Sequence, residues 1–271
     1  MMVERIADPD DPRVEPYRFV RERDLVGRDG RFVAEGQVVI EVALARGRFP
    51  LESLLIADDR LAAQQALIAR AEEKGVPVYA AAPVVMDAIA GFPIHRGLVA
   101  IGRRTAEPEA RTLLAGLDGP AIVVGLVGIA NHDNMGGIFR NAAAFGAAAV
   151  LIDGGSCDPL YRKAIRVSVG GALVVPFTRV GAAADLPALA AAAGFETLAL
   201  TPAGDDVLAR LDPPARSLVL LGAEGPGLPA DLIATARGVR IPMADFDSLN
   251  VATTSGIVLH HLASRRDAGR G

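Results

Sequence analysis

From residue 119 onward the chain alternates short, unbroken aliphatic runs with Ala-rich helical periodicity, and this alternation leaves few folds open to it. AIVVGLVGI (121–129) has no polar side chain and is bounded by turn formers, the pattern of a strand buried on both faces. AAVLID (148–153), ALVVPF (172–177), FETLALTP (195–202), SLVLLGAEG (217–225) and GVRIPM (238–243) read as further strands. GGIFRNAAAFG (136–146), YRKAIRVS (161–168), DLPALAAAAG (185–194) and LPADLIATA (228–236) read as helices between them, with a long terminal helix over 248–265. Strands separated by helices do not pair as hairpins, so a largely parallel α/β sheet is expected.

The first hundred residues carry a second, smaller pattern of the same class. Strands are expected at the start of RFVAEGQVVIEVALARG (31–47) and over 51–58, 76–81 and 96–104. Helices are expected in the remainder of 31–47 and over 60–75 and 82–91. TAEPEARTLLAGLDGP (105–120) mixes Pro, Gly and charge and reads as the link. The expected division is 1–104, a linker over 105–118, and 119–271.

Composition excludes several functions. The chain has 28 basic and 32 acidic residues, and 26 of the basic ones are Arg. A broad, strongly basic nucleic-acid binder is excluded, but a local basic patch is not. One cysteine, Cys157, excludes a disulfide framework and a multi-cysteine zinc site. The four histidines lack a ligand set, and the adjacent His260 and His261 diverge by about 100° on a helix, so no metal is expected. The acidic, Pro-rich start is no secretory signal, and no run reaches about 18 uncharged apolar residues. A cytoplasmic protein without a membrane partner is expected. G-x-G-x-x-G, the P-loop and G-x-S-x-G are all absent.

Three segments carry chemistry, each at a strand's carboxyl end, where a parallel sheet opens its ligand crevice. The first is NMGGIFRN (134–141), with Asn134 and Arg140 opening a helix. The second is LGAEGPGL (221–228), three glycines around Glu224, a loop able to wrap a ligand with backbone groups. The third is IPMADFDSLNV (241–251), where Ser248 and Asn250 stand at the start of the terminal helix. Each has a plain structural reading as well: a capped helix start, a tight turn, a second helix cap. Arg162, Lys163 and Arg166 form a short basic group that could hold phosphates.

Together, and in this order, N-x-G-x-x-x-R, G-x-E-G-x-G and I-P-M…S-L-N-V resemble the SpoU/TrmH family of the SPOUT superfamily, over about residues 119–265. GVPVYAA…HRGLVAIG is similar to the family's N-terminal extension, a small ribosomal-protein-like α/β domain that binds RNA. The resemblance implies a C-terminal SPOUT-type parallel sheet with a deep trefoil knot. It implies an S-adenosyl-L-methionine (AdoMet)-dependent enzyme that methylates a ribose 2′-hydroxyl, with ribosomal RNA as substrate and transfer RNA as the alternative. It also implies a homodimer through the second domain. A non-catalytic RNA-binding protein with a degenerate cofactor site is the competing reading.

The residues that match the family's cofactor positions are Leu200, Thr201, Gly222, Ala223, Glu224, Gly225, Ile241, Met243, Ser248 and Leu249. Arg140, Asn134, Glu224, Ser248 and Asn250 match the catalytic ones, and Arg162, Lys163 and Arg166 are the RNA-contact candidates. Two departures stand out. Ala244-Asp245-Phe246-Asp247 replaces a longer, Gly-containing link, and Asn131-His132 stands where relatives often have Asp-Pro.

Overall fold

The computed structural model describes residues 3–18, 30–90, 97–245 and 248–268. They divide into two units, Met1–Thr105 with Leu160–Val174, and Ala106–Pro159 with Val175–Gly271. The expected helix and strand ends near His95 lie outside the described residues.

The first unit is built on β1 (Glu4–Ile6), β2 (Arg31–Glu35), α1 (Gln37–Arg46), β3 (Leu51–Ala57), α2 (Gln65–Glu73), β4 (Val78–Ala81), α3 (Pro83–Ala90) and β5 (Leu98–Arg103). Its sheet runs β1-β4-β3-β5-β2. β1, β3 and β4 are parallel, while β5 runs antiparallel to both β2 and β3. Tyr17, Leu55, Met86, Ile89 and Ile101 share its core. The Tyr17 hydroxyl shares a buried 2.8 Å hydrogen bond with the Ser53 hydroxyl, so a polar tip is satisfied inside an apolar cluster.

The second unit contains α4 (Ala110–Ala115), β6 (Ala121–Val127), α5 (His132–Ala144) and β7 (Ala149–Ile152). The chain then lends α6 (Arg162–Val167) and α7 (Gly171–Val174) to the first unit. It returns with β8 (Phe177–Arg179), α8 (Leu186–Ala192), β9 (Glu196–Leu200), β10 (Asp206–Val207), β11 (Arg216–Gly222), α9 (Ala230–Ala234), β12 (Arg237–Arg240) and α10 (Val251–Ala268). The sheet order is β10-β12-β9-β11-β6-β7-β8, and every described pairing is parallel. All seven residues of β6 are buried, as its unbroken aliphatic run requires.

Several expectations are corrected. Residues 172–177 are not one strand. The Ser168 hydroxyl accepts the Ala172 N–H at 3.2 Å, which starts α7, and Pro176 then precedes β8. Val169 and Gly170 both take positive φ (54° and 83°), turning the chain between α6 and α7. The link over 105–118 contains α4, whose Leu114 joins the second unit's core. Residues 160–174 pack with the first unit, where the Arg48 N–H donates to the Leu173 carbonyl at 2.9 Å. The helix expected from 136 begins at His132, because the Asn131 side chain accepts the Asp133 N–H at 2.7 Å. The helix expected from residue 60 opens with 3₁₀ turns over Asp58–Gln64. The short β1 and β10 were not expected.

Candidate active site

β9, β11 and β12 end side by side, and the loops beyond them enclose a cavity of about 660 Å³. All ten residues expected at a cofactor, from Leu200 to Leu249, line it. Asn250, Val251 and Thr254, at the start of α10, close one side. The strand-end location follows from parallel topology: every β-to-α loop emerges on the same edge of the sheet.

Backbone makes much of this enclosure. A Cβ at Gly222 would stand 2.4 Å from the Gly227 carbonyl carbon and 2.5 Å from the Leu228 nitrogen, so the loop doubles back onto bare backbone there. The Gly227 N–H donates to the Ala223 carbonyl at 3.0 Å, closing the turn. Gly225 and Gly227 take positive φ (88° and 70°) with open space beside them. Among the described residues, Glu224 is the sole charged one lining the cavity.

Asn250 joins the three segments. Its Oδ1 accepts the N–H groups of Ala252 (2.9 Å) and Thr253 (3.1 Å), capping α10. Its Nδ2 donates to Asn134 Oδ1 (2.8 Å) and to Glu224 Oε1 (2.7 Å). The helix N–H groups fix which end of the amide is the acceptor, and so fix the amide's direction. Asn134 is buried in the first turn of α5, whereas Glu224 and Asn250 are exposed.

α5 and α10 pack closely. A Cβ at Gly137 would lie 2.6 Å from that of Ala252, so this motif glycine admits a neighbouring helix. Asn141 Nδ2 donates to the Ala252 carbonyl (2.8 Å) and to the buried Ser255 hydroxyl (2.9 Å). Asn141 and Ser255 were not singled out in the sequence. Their signal was only that two polar residues fall on otherwise apolar helix faces.

Arg140 is exposed on α5, and its side chain forms no ion pair or hydrogen bond among the described residues. It does not line the cavity and lies about 9 Å further along the helix than Asn134. Ser248 lines the cavity and is exposed. Phe246 and Asp247, in the shortened link, lie outside the described residues, whereas Ile241 and Met243 before it reach the cavity. Burial pushes the Cys157 thiol up to about 11, so little thiolate exists near neutrality.

The basic group on α6 is engaged within the first unit. Arg162 donates through Nε (2.9 Å) and Nη2 (2.7 Å) to Glu35 Oε2, and Arg166 Nη1 stands 3.8 Å from the same oxygen. Glu35 is buried, and the Arg162 side chain is 16% exposed. Lys163 is half-buried on the same helix.

This geometry, a parallel α/β sheet with a cavity ringed by strand-end loops, defines an α/β fold with a ligand crevice at its strand ends. Residues 121–260 match the SpoU rRNA Methylase family, and residues 33–106 match the RNA 2′-O ribose methyltransferase substrate-binding family. The chain belongs to the SpoU rRNA methylase family. It is 39% identical over 272 aligned residues to proteins of Mycobacterium bovis and Mycobacterium tuberculosis named uncharacterized tRNA/rRNA methyltransferase, covering 95% of this chain and 91% of each of them. Among solved structures, the SpoU methyltransferase AviRb from Streptomyces viridochromogenes, in complex with AdoMet, superposes with TM-score 0.81 at 23% identity, over 96% of this chain and all of that one. An RNA 2′-O ribose methyltransferase superposes with TM-score 0.77 at 26% identity, over 97% and 99%.

Proposed function

We propose that the protein transfers the methyl group of AdoMet to a ribose 2′-hydroxyl of RNA, in ribosomal RNA. The observation that carries this reading is the Asn250 network. It ties Asn134 and Glu224 to the mouth of a cavity lined by all ten expected cofactor residues. The cavity's volume and mixed lining suit a ligand that is part nucleoside and part amino acid. AdoMet carries a net positive charge, and Glu224 supplies the complementary one. When bound, AdoMet supplies an electrophilic methyl on a sulfonium.

The chain's own task is to orient the hydroxyl and ease the loss of its proton. Asn134 and Asn250 orient, Glu224 positions the loop and cofactor, and Ser248 offers a hydroxyl to cofactor or nucleotide. A guanidinium such as that of Arg140 is suited to stabilising the forming 2′-alkoxide rather than to taking its proton. Because Arg140 lies outside the cavity lining, the reading includes a homodimer whose second copy covers α5 and completes the site. Ile257 on α10, 39% exposed, is a large apolar side chain that such a dimer would cover. The RNA is engaged by the first unit, and the setting is the cytoplasm.

The test is tritiated-methyl transfer from AdoMet to total RNA of a strain lacking the gene, followed by mapping of the labelled nucleotide. A 2′-O-methyl mark in ribosomal RNA is expected. A mark confined to transfer RNA replaces the substrate, and absence of both transfer and calorimetric AdoMet binding overturns the enzyme.

A further inference from the structure

Outside the cavity and the Asn250 network, a second buried polar cluster occupies the loops after β6 and β7. Asp153 is the first residue beyond β7 and is buried. Both its carboxylate oxygens accept the Gly128 N–H at 3.1 Å, and Oδ1 also accepts the Ser156 hydroxyl at 2.6 Å. Ser156 Oγ in turn accepts the Ile129 N–H at 2.9 Å. The Cys157 N–H donates to the Ile129 carbonyl at 2.8 Å, so both backbone groups of Ile129 are held. Arg179, at the end of β8, donates Nη1 to the Ser156 carbonyl at 3.2 Å.

We infer that Asp153 and Ser156 are positioning residues for methyl transfer, fixing the β6–α5 loop and through it Asn134. This inference rests on the methyltransferase reading above. Gly128 and Ile129 begin the short loop that ends at the Asn131 cap, one turn before the Asn134 amide faces Asn250. Gly128 takes φ +68°, and a Cβ there would meet the Ala223 Cβ at 3.4 Å, so the braced loop abuts the cavity wall. The carboxylate faces hydrogen-bond donors and does not line the cavity, which suits a brace rather than a proton acceptor. Asp153 also stands where α/β folds place functional groups, at the carboxyl end of a parallel strand. Loosening such a brace displaces groups by fractions of an ångström to an ångström. Displacement on that scale costs up to about 100-fold in rate without removing any reacting group.

The experiment compares kcat, AdoMet affinity and thermal midpoint for the full chain, with total ribosomal RNA as methyl acceptor. Asp153→Asn keeps the volume but removes the charge that holds two donors. Its kcat is expected to fall about tenfold to 100-fold, with the AdoMet dissociation constant within about threefold of wild type. Ser156→Ala should show the same split more weakly, and Ser156→Thr, which keeps the hydroxyl, should recover the rate. Parallel losses of kcat, AdoMet affinity and thermal midpoint would mark general destabilisation and overturn the inference, as would unchanged kcat. If Asp153→Asn fails to fold, the Ser156 pair decides by the same criteria. A wild type that transfers no methyl overturns the functional reading and this inference with it. Wild-type transfer with unaffected variants overturns this inference alone.

Discussion

The two sides of the candidate site are made of different material. Toward β9, β11 and β12 the cavity is enclosed by folded-back backbone, with Gly222 pressed against Gly227 and Leu228. Toward α5 and α10 the structure is held by side chains: Asn134, Asn250 and Glu224 in one network, Asn141 and Ser255 in another. A backbone enclosure tolerates most side-chain exchanges and fails where a Cβ is forced into it. A side-chain network fails wherever a donor is lost, because its buried acceptors are then left unsatisfied. Under the proposed function the division is also one of labour, with the backbone side binding the cofactor and the side-chain side organising the reaction.

The largest effect is expected on the side-chain face. Arg140→Ala should lower kcat about 1,000-fold, in the range for removing a group that stabilises a developing oxyanion. Calorimetric AdoMet affinity should stay within about threefold, since Arg140 does not line the cavity. A matching loss of AdoMet affinity would erase the distinction between the two sides. Next comes the backbone face. Gly222→Ala places a Cβ 2.4 Å from backbone that cannot swing aside, so the loop must move. AdoMet affinity is expected to fall about 100-fold by calorimetry, with activity recovering in part at saturating AdoMet, the signature of lost uniform binding.

The same contrast explains what could be read from the chain alone. The parallel sheet was legible because β6 is an unbroken aliphatic run, and β11 holds another over 218–221, each short and bounded by turn residues as a central strand is. The cavity residues were legible because strand ends and glycines are local features, and topology then gathers them on one edge. Long-range pairings were not legible. Glu35 is separated from Arg162 by 127 residues, and nothing near either one announces the pairing that engages a group expected to meet RNA. Nor could the apolar stretch 172–177 reveal that the Ser168 hydroxyl would start a helical turn inside it. Asp153 was visible as the polar end of a strand, but one of its partners, Gly128, lies on a loop 25 residues earlier.

Asn250 provides the smallest effect and the finest test, because its two amide ends do separable jobs. Its oxygen caps α10, and its NH₂ group joins Asn134 to Glu224. Asn250→Ala removes both jobs, and loss of the cap alone costs about 1 kcal/mol. The thermal midpoint should drop by a few degrees, and kcat should fall about tenfold. Asn250→Asp keeps an oxygen for the Ala252 and Thr253 N–H groups, and its negative charge suits a helix N-terminus. The midpoint should therefore stay close to wild type at neutral pH. The lost NH₂ group, however, puts an acceptor against Asn134 Oδ1 and a like charge against Glu224, so kcat should fall at least as far as in Asn250→Ala. Lowering the pH should recover part of the Asn250→Asp loss, because protonating the introduced carboxyl removes the repulsion and restores a donor. Should Asn250→Asp instead keep full kcat at neutral pH, the amide is a helix cap and nothing more, and the link between the three segments is structural.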